Sequence, residues 1–467
     1  MYNWLQSRAG EMPDKPAVIF EGTEVTFSEL YKTAVEMKGR LESLDRPRIA
    51  LFIGNTLDAV YAIHAAMLAN IEIVMINTRL TGREIAAQLD DIGVDTIVAT
   101  EPVDLEGYRV YKWEEIQNMA SGSRESRNAS GSDVLSIMFT SGTTGRAKAV
   151  TQTYDNHYAS AMGCERRFGY TRDSIWMNIN PIYHISGFSV LLRSVIRGCT
   201  MVLIEKFEEE KIWKTIAEYG VTHTSMVPIM LKRLMKYEMA EHRLEGILLG
   251  GAGVTKDILD NALSMGLPVY NSFGMTETCS QIVSIAPDDP KILDGTVGKP
   301  LDNIDIVVDS SNDGELLVRG GPITGGYLNA EMEVSDGYFR TGDMGHIDEE
   351  GYLYILDRRK DLIISGGENV YPKEIEDVIN THPGVVNAAV VKRKDQEWGE
   401  VPILLVELAN GRRLEDEEIM AHLKRHLARY KLPKEIHRVG NIIMTSTGKV
   451  SRARNQQIYN IKRSSNR

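Results

Sequence analysis

The sequence predicts an α/β fold, with a large N-terminal domain of layered β-α-β subdomains and a small α+β C-terminal domain. Two observations carry this expectation. Short apolar runs alternate with stretches of helical period through most of the chain, and the pattern starts afresh after a charged run near residue 358. Residues 26–44 (TFSELYKTAVEMKGRLESL) space their apolar side chains like a helix, 49–53 is a strand-like run, and after a Gly-Asn break a second helix covers 56–68. Strands over 73–76 and 96–99 flank a helix over 82–89, so a largely parallel sheet follows, with ligands beyond its strand ends. The Ser/Gly/Asn-rich stretch 118–132 reads as a mobile surface connection, because strand-like 134–139 resumes at once. Beyond strand-like 352–356 and the run Asp357-Arg358-Arg359-Lys360-Asp361 come a helix over 372–381, strands over 386–393 and 402–408, and a helix over 415–427. The domains are therefore expected at 1–357 and 358–467.

At roughly 150 residues per domain, 467 residues bury a large core, and 43% hydrophobic with 25% charged residues is ordinary for a globular chain. The net charge of -12 argues against nucleic acid or an anionic membrane as the main partner, while leaving room for a local basic pocket that takes an anion. Three widely spaced cysteines, Cys164, Cys199 and Cys279, suggest neither a disulfide framework nor a zinc site. The first twenty residues lack the pattern of a secretion signal, and no apolar run reaches the ~18 residues of a membrane span. A cytoplasmic protein is expected, and its oligomeric state, a homo-oligomer included, is left open.

Thr140-Ser141-Gly142-Thr143-Thr144-Gly145-Arg146-Ala147-Lys148 follows the strand-like SIMF. Its hydroxyls, glycines and closing cations suit a loop that surrounds phosphate oxygens with backbone N–H groups, hydroxyls and Lys148. The spacing is not that of the common nucleotide triphosphatase loop, and a plain hydroxyl-rich turn is the alternative. In Ser272-Phe273-Gly274-Met275-Thr276-Glu277-Thr278, a carboxylate beside hydroxyls suits Mg²⁺, which favours a few hard oxygens plus phosphate; a helix start capped by Thr276 fits equally. Gly250-Gly251-Ala252-Gly253 is close to a dinucleotide turn, but Lys256 stands where the third glycine belongs.

With these residues in place, the chain resembles the adenylate-forming enzymes, a superfamily of acyl-CoA synthetases, luciferases and adenylation domains, over essentially its whole length. FTSGTTGRAKAV is similar to the family's phosphate loop and SFGMTET to its adenine and magnesium motif. DGYFRTGDMGHIDEEGYLYILDRRKDLIISGGENVYPKEIE is similar to the signature that runs through the hinge, and TSTGKVSR to the catalytic-lysine motif. Ala147-Lys148-Ala149 departs from the usual Pro-Lys-Gly but keeps the cation. The resemblance implies ATP, Mg²⁺ and CoA as a co-substrate, and a mobile C-terminal lid that rotates about Lys360 between adenylation and thiol attack. It also implies site roles. Thr140, Ser141, Gly142, Thr143, Thr144, Lys148, Gly251 and Ser272 would bind the nucleotide, Thr276 the α-phosphate region and Glu277 the metal. Asp343 would take the ribose with Arg358 assisting, Lys449 would catalyse adenylation, and Gly366 and Gly367 would face the thiol tunnel.

The segment Pro181-Ile182-Tyr183-His184-Ile185-Ser186-Gly187-Phe188 lacks the acid by which adenylation domains bind an amino group, so amino-acid activation is not expected. His184 resembles the histidine that closes over the acyl group in CoA ligases. Arg193 and Arg197 stand in an otherwise apolar stretch, where a guanidinium needs an anion: a second substrate carboxylate, a protein acid, or else solvent. HISGFSVLLRSVIRG, GGAGV and GMTETCSQIVS resemble the o-succinylbenzoate:CoA ligases of menaquinone biosynthesis. That likeness implies o-succinylbenzoate as the acid, with His184, Arg193 and Gly250 on the substrate. The alternatives are a medium-chain acyl- or aryl-acid:CoA ligase and, in another class, a binding homologue without turnover. The presence of Lys449, Glu277 and Asp343 counts against the latter.

Overall fold

The computed structural model describes the chain except residues 1, 123–126, 141–146, 252, 311–313, 359–360, 366–367, 396–397, 410–411, 428, 446–447 and 466–467; for 357, 358, 364, 368, 369, 430 and 462–465 it describes the backbone. The residues pack into two units, 1–306 with 318–339, and 307–317 with 340–467.

In the first unit the alternating segments form two sheets. A seven-stranded sheet carries the parallel strands Arg48–Phe52, Glu72–Met75, Thr96–Ala99 and Arg109–Lys112, with Val134–Thr140 parallel to Glu72–Met75. Lys148–Thr153 then turns back antiparallel on Val134–Thr140, and the short Gly326–Tyr327 closes that edge. The expected helices form as Phe27–Glu42, Leu57–Leu68 and Gly82–Asp90. Two of them start in capping boxes, Thr26 with Glu29 and Thr81 with Glu84, which satisfy orphan N–H groups at the first turn. The part of 118–132 that is described is tied down, with Gly122 N–H bonded to the Gly39 carbonyl and Arg127 paired to Asp133 at 2.6 Å.

The second sheet has nine strands. Its middle, Gly246–Leu249, His223–Met226, Ile175–Asn178 and Thr200–Leu203, is parallel, and Val269–Met275 joins it in parallel beside Gly246–Leu249. The C-terminal ends of three adjacent strands therefore bring Val227, Gly250 and Ser272 to one edge, the position where an open α/β sheet offers its crevice.

In the second unit, Val385–Asp395 pairs antiparallel with Gly399–Leu408 over its whole length, and Glu435–Val439 adds in parallel. Alternation sorts the side chains. Ala388, Val390, Leu404 and Val406 pack under the helices Pro372–Asn380 and Asp416–Lys424, whereas Ala389, Val391, Ile403 and Leu405 pack with Ile442 and Tyr459. Each buried Val, Leu or Ile among them contributes about 1.5–3 kcal/mol, enough to make this small sheet a core of its own. No helix among the described residues is long and apolar enough to cross a membrane.

Candidate active site

The hairpin Val134–Thr140/Lys148–Thr153 sets Thr140 opposite Lys148, so both ends of the hydroxyl-rich loop are held at one point. The loop itself, with Ser141, Gly142, Thr143 and Thr144, lies outside the described residues. Its exit is clamped by one amide: Asn329 accepts from Ala149 N–H and donates to the Ala147 carbonyl, both at 2.8 Å. That clamp brackets Lys148 in the same Ala-Lys-Ala segment that lacks the usual Pro and Gly. Lys148 Nζ stands 4.8 Å from the Tyr327 ring centre, and the Tyr327 hydroxyl donates to Glu277 Oε1 at 3.1 Å. Lys148 and Glu277 thus share one tyrosine.

Glu277 sits in the short turn Thr276–Thr278 at the end of Val269–Met275 and is only 6% exposed. Thr276 does not cap a helix there. Met275 N–H instead donates to Thr278 Oγ1 at 2.9 Å, so it is the Thr278 hydroxyl that closes the turn. No group of three or more His, Cys, Asp or Glu side chains among the described residues makes a metal cage. A single hard carboxylate suits Mg²⁺, which keeps waters and takes its remaining ligands from substrate phosphates. At the neighbouring strand ends, Ser272 Oγ donates to the Leu249 carbonyl at 2.6 Å. Gly250 leaves its Cα bare toward Ser272 Oγ, and Gly251 takes φ +81°, a left-handed conformation that favours glycine.

His184 precedes the helix Ile185–Arg197. The turn before that helix needs Gly187, where a Cβ would lie 2.4 Å from the Pro181 carbonyl oxygen. Asn55 braces it further, accepting from Ile182 N–H at 2.9 Å and donating to the Asn180 carbonyl at 3.0 Å. The His184 Nε2 is enclosed and has no hydrogen-bond partner among the described residues. Burial, with the Arg79 charge second, pulls its pKa down to about 4, so the ring is neutral at pH 7.

Arg193 and Arg197 divide as their positions on the helix dictate. Arg197, in the last turn, pairs with Glu165 at 2.9 Å. Arg193 is 1% exposed, lies 5.7 Å from the Trp176 ring centre, and donates from Nη2 to Gln281 Oε1 at 2.8 Å. Its Nε is buried without an acceptor, and no carboxylate among the described residues forms an ion pair with it. Among the described residues, this guanidinium is met by a neutral amide and an indole face and by neither a protein acid nor solvent.

In the second unit, Asp343 is 4% exposed on Tyr338–Ile347, in register with Arg358, whose side chain is not described. Its turn is held from behind by Glu315, which accepts from Gly342 N–H at 3.0 Å and pairs with Arg340 at 2.5 Å. Lys360, Gly366 and Gly367 lie outside the described residues. Lys449 is exposed. Beside it Gly448 takes φ +77°, Lys449 N–H donates to Thr445 Oγ1 at 3.1 Å, and Met444 bridges to Val450.

Sequence reasoning missed Tyr327, Asn329, Gln152 and Gln281. Gln152 lies in the half-polar strand KAVTQT, where one more polar residue carries no local signal.

The chain matches the family model described as AMP-binding enzyme over residues 5–328, and that of the AMP-binding enzyme C-terminal domain over 374–449. It is 43% identical over 457 residues to a 2-succinylbenzoate–CoA ligase of Staphylococcus epidermidis, covering 96% of each chain. It is 40% identical to the protein of that name from Staphylococcus aureus, covering 96% of this chain and 98% of the other. Among solved structures it is similar to the o-succinylbenzoate CoA synthetase of Bacillus subtilis in complex with the acyl-adenylate intermediate, with TM-score 0.93, 34% identity, and 97% and 98% of the two chains covered. ATP-bound MatB of Rhodopseudomonas palustris gives TM-score 0.88 at 26% identity, with 98% and 99% covered.

Proposed function

Because the chain belongs to the AMP-binding enzyme family, we propose that it is an ATP-dependent o-succinylbenzoate:CoA ligase of menaquinone biosynthesis. The observation that carries the choice of acid is Arg193, a buried guanidinium with one neutral hydrogen-bond partner and an orphaned Nε. A substrate carrying a second carboxylate supplies the missing charge; an octanoate or benzoate does not.

In the first half-reaction a substrate carboxylate oxygen attacks the α-phosphorus of ATP, and pyrophosphate leaves. Negative charge concentrates around the α-phosphate as this happens, so fixed cations contribute most there. Lys449 is assigned to bridge the carboxylate and the α-phosphate, and Thr276 to hydrogen-bond that phosphate. Thr140, Ser141, Gly142, Thr143, Thr144 and Lys148 cradle the departing phosphates. Mg²⁺, when bound, neutralises phosphate charge, and Glu277 is the residue that would hold it. Gly250, Gly251 and Ser272 line the crevice for the adenylate and the acyl group, and Asp343 with Arg358 takes the ribose hydroxyls.

In the second half-reaction the CoA thiolate attacks the acyl carbon, the C–O bond to phosphate breaks, and AMP leaves. His184, neutral and half-buried, closes over the acyl group and excludes water. Residues 358–467 act as a lid turning about Lys360, with Gly366 and Gly367 beside the pantetheine arm. All three cysteines are free and buried, in keeping with a reducing, cytoplasmic setting.

Pyrophosphate release with MgATP, CoA and a panel of acids tests the reading. Turnover selective for o-succinylbenzoate over benzoate, 4-coumarate, octanoate and acetate supports it; preference for a monocarboxylate refutes the choice of acid.

A further inference from the structure

A buried polar chain ties the turn that carries Glu277 to the phosphate hairpin. Ser136 and Gln152 are register partners across that hairpin, and both are fully buried. The Ser136 hydroxyl donates to Gln152 Oε1 at 2.7 Å, which leaves the Gln152 amide nitrogen to donate to the Thr276 carbonyl, also at 2.7 Å. With its one proton committed, Ser136 Oγ accepts from His157 Nε2 at 2.8 Å. This order assigns the imidazole the neutral tautomer protonated on Nε2. Every donor in the series runs one way, from His157 to Thr276.

A second strap completes the hold. Thr324 N–H donates to the Glu277 carbonyl at 2.8 Å, while the Thr324 hydroxyl donates to the Thr151 carbonyl. The Thr276 and Glu277 carbonyls are therefore both tied, directly or through one residue, to the strand Lys148–Thr153. Packing alone does not call for this arrangement. Apolar side chains in place of Ser136, Gln152 and His157 would fill the same space without burying their polar groups, and a buried network is useful where it fixes one geometry.

We propose that Gln152 is a positioning residue for adenylation: its bond to the Thr276 carbonyl, with Ser136 and His157 orienting its amide, sets the Glu277 carboxylate against Lys148. The proposal rests on the assignment of Glu277 to magnesium, and the experiment separates the two.

Titration calorimetry of MgATP, and of ATP with a chelator, is run on the intact wild type, Gln152→Met, Ser136→Ala and Glu277→Ala, beside pyrophosphate release at graded Mg²⁺. Gln152→Met is expected to weaken MgATP binding about tenfold and to raise the Mg²⁺ needed for half-maximal release. It should leave chelated ATP binding and thioester formation from supplied acyl adenylate unchanged. Ser136→Ala, which keeps the amide but unties it, should shift MgATP binding in the same direction by less, and add little on top of Gln152→Met. It carries the test if Gln152→Met does not fold. Equal losses with and without magnesium, or in both half-reactions, would overturn the proposal by reducing Gln152 to a fold support. A magnesium response in Glu277→Ala but none in Gln152→Met and Ser136→Ala overturns the proposal alone. No response in Glu277→Ala overturns the magnesium assignment, and the proposal with it.

Discussion

Arg193 Nη2 donates to Gln281 Oε1 at 2.8 Å, so the most enclosed cation of the helix Ile185–Arg197 is held by a neutral amide. Gln281 Oε1 also accepts from the Ser280 hydroxyl at 2.8 Å and keeps a partner when the guanidinium is removed. Arg193→Met, which keeps most of the volume, is therefore expected to leave the melting temperature unchanged or raise it, because it removes a buried, uncompensated charge. Scanning calorimetry checks this, and a fall of several degrees would show that the arginine is part of the fold's own support.

Lys449→Ala is expected to slow adenylation by about a hundredfold or more while sparing thioester formation from supplied acyl adenylate. The lysine is exposed, and it is its backbone N–H that donates to Thr445 Oγ1, a bond that the substitution keeps. Rapid-quench assays of the two half-reactions check it, and equal loss in both would remove the assigned role.

Acid should destabilise the protein through its buried histidines. His64, His157 and His223 are each 1–2% exposed, and burial pulls their pKa values from 6.5 down to about 4, about 3 and about 4. Above pH 6.5 the folded and unfolded states are both neutral at these rings, so the full stability is present. As pH falls below 6.5 the unfolded chain takes up protons that the folded chain refuses, until each ring's folded pKa is reached. The loss amounts to about 2 kcal/mol for each histidine by pH 5. Urea midpoints at pH 7 and pH 5 measure it, and His64→Gln should flatten the dependence; an unchanged slope would mean the ring is protonated in the fold.

Gly274→Ala should damage the adenine and magnesium motif. A Cβ there would stand 2.1 Å from the Ser280 carbonyl oxygen, at the irregularity between Phe273 and Gly274 in the pairing with Ser280–Ile285. The strand must shift to admit it, at about 1–3 kcal/mol of stability and with a raised KM for ATP. An alanine variant with wild-type KM and melting temperature would contradict the geometry.

Much of the fold was legible because period and burial agree: helices expected over 56–68 and 82–89 form as Leu57–Leu68 and Gly82–Asp90, and the strands between them are parallel. The helix expected over 415–427 is shorter, Asp416–Lys424, since His426 and Arg425 already lie in turns. Short runs guide less well. The strands Ile304–Asp309 and Glu315–Gly320 went unread, because polar residues interrupt one and two glycines close the other. In the site, motif residues such as Lys148 and Glu277 were legible, whereas Tyr327, which joins them, lies 179 and 50 residues away along the chain and carries no local signal. The neutral partner of Arg193 was equally out of reach, because only tertiary packing brings Gln281 to it.

On the proposed function, Arg193 meets the second carboxylate of the acid. The most direct measurement is kcat/KM for o-succinylbenzoate and for 4-oxo-4-phenylbutanoate, which lacks the ring carboxylate, in the wild type and in Arg193→Ala. The wild type should prefer the diacid by about ten- to a hundredfold, the worth of a charged hydrogen bond in a buried site, and the variant should lose that preference by falling on the diacid alone. A preference that survives the substitution, or an equal fall on both acids, would contradict the account.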